Sequence, residues 1–289
     1  MNLNTGKMNS GARMAKRRLK KKTVRIFTRF AFIFFVCAAV FSAYKFWTEQ
    51  QKYAEARKSY DEIRNLSAAG PIRPHEKPAQ DENEIQMDVY EPRKEIDWDG
   101  LKAIDENVVA WIEMEGSSID YPVAHGSDND QYLRHLIDGK YNDAGTIFVD
   151  CRNNRGFTDK NTVIYGHHMF DEPLMFAELE NYESQDYYES HKVIMIHTPD
   201  AEYDVYPVAG YQTTGTGGYL QFEFQSDQEF LDYVNSFVSR STFRSDETIA
   251  ADDQMVLFST CSYDVYNGRY VLIGKLVKVD SADMHEQNE

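Results

Sequence analysis

The reading of this chain turns on Met255-Val-Leu-Phe-Ser-Thr-Cys261 and Gly268-Arg-Tyr-Val-Leu-Ile-Gly-Lys-Leu-Val-Lys-Val279, two runs joined by a short polar loop. Both are rich in β-branched and aromatic residues, so each predicts a strand. Paired as a hairpin, they set Cys261 opposite Arg269 at one end. A thiol at a strand end beside a loop is open enough to react, unlike one in mid-strand. A guanidinium facing it offers a fixed charge and forked donors to a developing oxyanion. Taken alone, the two residues also fit a structural cysteine beside a surface arginine.

Six further runs have the same character: Val108–Met114, Ile119–Ala124, Thr146–Val149, Thr162–Tyr165, Val193–His197 and Tyr203–Tyr211. With the hairpin they bring the strands to eight between residues 96 and 279, which predicts a mainly β domain with accessory helices, closed or nearly closed into a barrel. Two helices are expected, a short one around Gln131–Leu136 and a longer one over Asp227–Ser239. The longer follows Ser226-Asp-Gln-Glu229, where Ser226 caps and Glu229 completes a capping box. Phe230, Leu231, Val234, Phe237 and Val238 share one face, which should pack on the barrel.

Asn161-Thr-Val-Ile-Tyr-Gly-His-His-Met169 is a strand that ends on Gly-His. A nucleophilic cysteine needs a histidine, first to support the thiolate and then to protonate the leaving amine. Gly166 is read as giving backbone freedom beside the imidazole. If the strand continues, His167 and His168 point to opposite sides, so only one can face the thiol. Cys151, after Ile147-Phe-Val-Asp150, has no Gly-His or Thr-Cys context and is read as structural. The two histidines and a cysteine bring no third or fourth ligand at metal spacing, so no metal is expected. Gly215-Thr-Gly-Gly218 is too short and wrongly placed for a phosphate loop and reads as a turn before the helix.

Charge divides the chain. The formal net charge is −16, yet residues 1–47 carry 11 Lys and Arg and no Asp or Glu, leaving 20 basic against 47 acidic residues, or −27, beyond them. Such an acidic body excludes a nucleic-acid-binding surface built on clustered Lys and Arg, and three cysteines exclude a disulfide-stapled mini-protein. Lys16, Arg17, Arg18, Lys20, Lys21, Lys22, Arg25 and Arg29 precede an apolar run, Ile26 to Trp47, long enough to span a bilayer. Tyr44, Phe46 and Trp47 stand where an interfacial aromatic belt would lie. The cationic flank predicts a cytoplasmic N-terminus and an exported body. A cleaved signal peptide ending near Phe41-Ser42-Ala43 is the competing reading; the aromatic flank and the helical continuation suit an anchor better.

The expected organisation is therefore a basic cytoplasmic segment over 1–25, a transmembrane anchor over 26–47, a helical stalk and linker over 48–95, a catalytic domain over 96–280 and a polar tail over 281–289. Tyr53, Ala56, Tyr60 and Ile63 lie on one face of the helical part. Pro71, Pro74, Pro78 and Pro92 punctuate 67–95, which is read as a linker or extended wrap without a regular element.

Leu257-Phe-Ser-Thr-Cys261, Gly268-Arg269 and Val271-Leu-Ile-Gly-Lys-Leu276 together resemble the signature of sortases, cysteine transpeptidases of Gram-positive cell surfaces. Asn161 to Met169 is similar to their histidine motif, and the helix over 227–239 and the N-terminal helical extension resemble class B. The resemblance covers roughly 96–279 and implies an eight-stranded sortase-type barrel with no cofactor. It makes Cys261 the nucleophile, His167, directly after Gly166, the acid and base in preference to His168, and Arg269 the conserved arginine. It places Thr260, with Ser259 carrying less weight, where substrate or oxyanion is held. The familiar signature has Leu two before the Thr, where this chain has Phe258.

The implied reaction is cleavage at Thr in a C-terminal sorting motif of a secreted protein, through a Cys261 thioester, and transfer to an amine of a peptidoglycan precursor. The implied partners are those secreted proteins, that amine and membrane lipid around the N-terminal helix, with the catalytic domain outside the cell. Two other classes fit the same residues: a membrane-tethered cysteine peptidase that passes the acyl group to water, and a non-catalytic surface barrel that binds peptides.

Overall fold

The computed structural model describes residues 6–73, 91–169, 173–262 and 268–279, with residues 6–23, 68–73, 91–92 and 261–262 described by their backbone. The expected polar tail, the prolines Pro74 and Pro78, and the loop 263–267 lie outside the described residues. The chain divides into two compact units, Met1–Lys52 and Tyr53–Glu289. Helix α1 (Gly6–Arg64) runs through the first and into the second. In the first unit Phe27, Phe30, Phe32, Phe34, Phe35 and Phe41 are exposed. Within Val24–Arg64 the helix is long and apolar enough to cross a membrane.

In the second unit the last turns of α1 bury Ala56, Tyr60 and Ile63. The spacing 56, 60, 63 puts them on one face, and that face is core. Tyr60 meets Tyr121 edge to face at 5.2 Å and donates its hydroxyl to the Gly145 carbonyl at 2.6 Å. An antiparallel pair follows, β1 (Ser67–Arg73) and β2 (Glu91–Ile96), within the stretch read above as having no regular element. That expectation is corrected. A two-stranded ribbon has two free edges and tolerates proline, and the register shifts between Ala69 and Ile72, around Pro71. Arg93 of β2 is buried and paired with Asp204, and Lys94 pairs with Glu113 and Asp120. Helix α2 (Trp98–Ile104), also unforeseen, is capped by Asp97, whose side chain accepts from the Gly100 N–H at 2.9 Å.

The barrel strands are β3 (Val108–Glu113), β4 (Asp120–Ala124), β5 (Ile147–Val149), β6 (Asn161–Tyr165), β7 (Ile194–His197), β8 (Glu202–Thr214), β9 (Gln254–Ser262) and β10 (Gly268–Val279). Each falls on one of the eight expected runs. They close in the order β10-β8-β7-β3-β4-β5-β6-β9. All neighbours are antiparallel except β4 with β5 and β6 with β9. Helix α3 (Gln185–Ser190) precedes β7, and α4 (Asp227–Val238) precedes β9.

Met255–Phe258 and Tyr270–Ile273, the centres of the two deciding runs, are apolar or aromatic at every position because both their faces are covered. Val256, Phe258, Tyr270 and Leu272 join one core cluster, while Met255, Leu257, Val271 and Ile273 join another, shared with α4. The face that α4 buries is Phe230, Tyr233, Val234 and Phe237; Val238 is exposed and Leu231 is only partly covered, so the expected face is rotated by one position. Ser226 accepts from the Glu229 N–H at 3.2 Å as the capping box requires, but the Glu229 carboxylate accepts from Gln225, one residue before the cap.

The expected short helix near 131 is a single 3₁₀ turn, Gln131–Leu133. It is pressed against Gly145, whose φ is +60° and where a Cβ would stand 2.5 Å from the Tyr132 carbonyl oxygen and 2.8 Å from that of Leu133. Only glycine fits both the φ and the space. Gly145→Ala should therefore cost about 1–3 kcal/mol of stability, read by denaturant unfolding of the chain in detergent; wild-type stability in that variant would refute the requirement.

Candidate active site

The site is assembled where β6 runs parallel to β9. Asn161 pairs with Met255 and Tyr165 with Ser259, and the Gly166 N–H continues the ladder by donating to the Ser259 carbonyl at 3.2 Å. The chain leaving β6 thus passes Thr260 and brings His167 to the end of β9. On the other edge of β9, β10 sets Tyr270 against Thr260 and Arg269 against Cys261. The hairpin register inferred from the sequence is the one observed.

Gly166 has a different reason from the one expected. Its backbone is not in the left-handed region; instead a Cβ there would stand 2.6 Å from the Phe176 ring. Close approach of an aromatic ring, not backbone freedom, demands the glycine. β6 ends at Tyr165, before the two histidines, yet they still part: His168 Nδ1 meets Glu180 Oε2 at 3.1 Å, while His167 lines the cavity that also holds Thr260 and Arg269.

His167 Nε2 lies 2.7 Å from the carbonyl oxygen of Leu133. A carbonyl can only accept, so Nε2 carries the hydrogen, and Nδ1 is left as the nitrogen that gains and loses a proton. The ring is partly exposed but closely surrounded. Burial lowers its pKa, the bond to Leu133 opposes that, and the charges of Arg134 and Arg269 lower it further, so the net direction is down. A neutral imidazole is the resting form these surroundings favour.

Arg269 is half-buried and its Nη1 donates to the Gly268 carbonyl at 2.8 Å. Thr260 is buried, and its Oγ1 has no hydrogen-bond partner among the described residues. Ser259 Oγ is 2.9 Å from the Tyr219 hydroxyl. Together they border a cavity of about 330 Å³ with Asn129, Arg152 and Tyr165 on its lining. An imidazole, a guanidinium and a buried unpaired hydroxyl around the cysteine end of β9 can support acyl transfer: a proton carrier and charge donors converge where a tetrahedral oxyanion would form. Among the described residues, no group of three or more His, Cys, Asp or Glu is placed to hold a metal ion. Cys151 is a partly exposed free thiol whose backbone N–H donates to Asn129 Oδ1 at 2.8 Å.

Sequence reasoning missed Leu133, Asn129, Arg152, Tyr165 and Tyr219. Leu133 acts through its carbonyl, which no residue type reveals. The others sit in loops or within an ordinary strand and gain meaning only from the cavity they share.

Comparison with known proteins supplies the rest. A Sortase domain model matches residues 112–277. The chain is 30% identical over 198 residues to sortase B of Staphylococcus aureus, covering 68% of this chain and 81% of that protein. It is 36% identical over 179 residues to sortase B of Listeria monocytogenes, covering 61% and 72%. Among solved structures, sortase B of Bacillus anthracis in complex with AAEK1 superposes with a TM-score of 0.66 at 30% identity, over 80% of this chain and 100% of that one. With the closed eight-stranded barrel and the strand-end site, these place the chain in the sortase family, as a class B sortase and a cysteine transpeptidase.

Proposed function

We propose that this transpeptidase is anchored by the apolar segment 26–47, with residues 1–25 in the cytoplasm and the barrel outside the cell. In this reading it cleaves a C-terminal sorting motif at Thr and joins the protein to a cell-wall amine. The observation that carries the reading is the register of β9 with its two neighbours: Cys261 opposite Arg269 and, at the end of β6, His167 beside Thr260. A sortase B has been solved in complex with triglycine, which suits an amine acceptor of the glycyl type.

The chemistry then runs as follows. The Cys261 thiolate adds to the Thr carbonyl carbon, forming the C–S bond. Arg269, with Thr260 and a backbone N–H near Ser262, stabilises the oxyanion; loss of one such donor costs on the order of 10²–10³ in rate. The C–N bond breaks as imidazolium His167 gives its Nδ1 proton to the leaving amine. In the second half the incoming amine loses a proton to His167 and forms the new C–N bond, and the C–S bond breaks to restore the thiolate. Ser259, held by Tyr219, shapes the substrate side of the cleft. Because burial and Arg269 disfavour the imidazolium, the thiolate itself is the main stabiliser of the charged pair.

Cys261→Ala should abolish both thioester formation and transfer while leaving the fold intact, assayed by mass spectrometry on sorting-motif peptides with and without triglycine. Cleavage retained by that variant would sink the assignment, and products lacking the glycine adduct in the wild type would mark hydrolysis instead. In the Cys261→Ala background, where no thiolate is present, His167 should titrate below the ordinary value of about 6.5, followed by imidazole NMR. Adding Arg269→Gln should move that midpoint upward, since a nearby positive charge is removed; a midpoint at or above the ordinary value before that change is the contrary result.

A further inference from the structure

Asp150 follows β5, is fully buried, and takes no part in the chemistry above. Five donors converge on its carboxylate. Oδ1 accepts the Arg152 backbone N–H at 3.0 Å and Arg152 Nε at 2.8 Å. Oδ2 accepts Arg152 Nη2 at 2.7 Å, the Tyr165 hydroxyl at 2.9 Å and Asn129 Nδ2 at 3.0 Å. Asn129 is held at its other end too, by the Cys151 N–H, and the Arg152 guanidinium lies 4.0 Å over the Phe222 ring. Burial raises the carboxyl pKa, but the bonds from Arg152 and Tyr165 outweigh it and hold the group below the usual carboxylate range.

Asn129, Arg152 and Tyr165 line the same cavity as His167, Thr260 and Arg269, whereas Asp150 does not. Arg152 engages Asp150 through Nε and Nη2, which leaves Nη1 for a further acceptor. Tyr165 donates its hydrogen to Asp150, which leaves its oxygen lone pairs for a further donor. An extended peptide presents alternating C=O and N–H groups, the complement of that donor and that acceptor. A side chain already fixed on folding loses little rotamer freedom on binding, and a half-exposed arginine without a partner would lose much.

We propose that Asp150 is a positioning residue for substrate: it fixes Asn129, Arg152 and Tyr165 as a preorganised polar wall that receives the backbone of the sorting-motif peptide. This rests on the transpeptidase reading of the cavity given above, and concerns binding of the peptide rather than the acyl-transfer step.

The test uses the full chain in detergent and a fluorescence-quenched peptide library with one fixed Thr, from which the peptide best cleaved by the wild type is taken. Asp150→Asn should raise KM about tenfold or more while kcat stays within about threefold. The rate of Cys261 alkylation by iodoacetamide should be unaltered, a readout that a general loss of structure would shift. Arg152→Met should raise KM in the same way, and the double variant should fall well short of the product of the two single effects, because Asp150 acts in part through Arg152. The proposal is overturned if Asp150→Asn lowers kcat with KM unchanged, or if the KM effects of the two substitutions multiply. Should Asp150→Asn not fold, Arg152→Met decides: an unchanged KM refutes the wall. Failure of the wild type to form a thioester with any peptide refutes the transpeptidase reading instead, a separate outcome from normal turnover with an unaltered KM.

Discussion

The parallel pairing of β6 with β9 is the constraint on which the rest of this molecule depends. It closes the barrel, since β9 is otherwise attached only to β10, and it carries the histidine strand to the cysteine strand. Strands 161–165 and 254–262 are nearly a hundred residues apart in sequence, so no local interaction brings them together. What holds them is burial on both faces: the barrel core takes Ile164, Val256 and Phe258, and the layer under α4 takes Val163, Met255 and Leu257. A one-residue slip in this register would turn every one of those side chains to the wrong layer. The geometry of the candidate site is thus fixed by the same hydrophobic pattern that fixes the fold.

A second line of support reaches the site from the N-terminal side of the barrel unit. Tyr60 of α1 bonds the Gly145 carbonyl, Gly145 is packed against the carbonyls of Tyr132 and Leu133, and the Leu133 carbonyl accepts from His167. Each step is a short contact between buried or backbone groups, so the imidazole orientation is tied to how the end of α1 sits on the barrel. Helix α1 residues 56–63 are therefore part of the scaffold that orients the histidine, a larger role than a stalk would have.

The sequence made the strands legible because each is a short β-branched or aromatic run bounded by turn residues, and closure followed from their number. It made the meeting of Cys261, His167 and Arg269 at one end of β9 legible because Thr-Cys, Gly-His and Gly-Arg fall at or just beyond strand ends. It did not reveal β1 and β2, since Pro71 and Pro92 argue against strands everywhere except on a free ribbon edge. The buried face of α4 differs from the expected one because Val238 is apolar yet exposed and Leu231 only partly covered, while Tyr233 is buried and bonded to the Tyr219 carbonyl. Asp150 carries no signal in the sequence; only folding brings Asn129, Arg152 and Tyr165 around it.

Two histidines show why residue type alone could not rank the candidates. His197 is fully buried between Glu113, 2.9 Å from Nε2, and Glu202, 2.5 Å from Nδ1. Burial alone lowers its pKa, but the two carboxylates reverse the direction, so the surroundings favour the protonated ring. Arg93 also reaches Glu202 and Lys94 reaches Glu113, so both carboxylates are shared with other cations of the fold. At His167 the surroundings are of the opposite sign: a carbonyl on one nitrogen, arginines nearby, and a net downward shift. An imidazole with one nitrogen facing an open cavity is placed to exchange a proton during a reaction, whereas one with a carboxylate at each nitrogen is favoured in its charged form and is the poorer carrier. The chemistry at the end of β9 therefore follows from which charges the barrel places beside each ring.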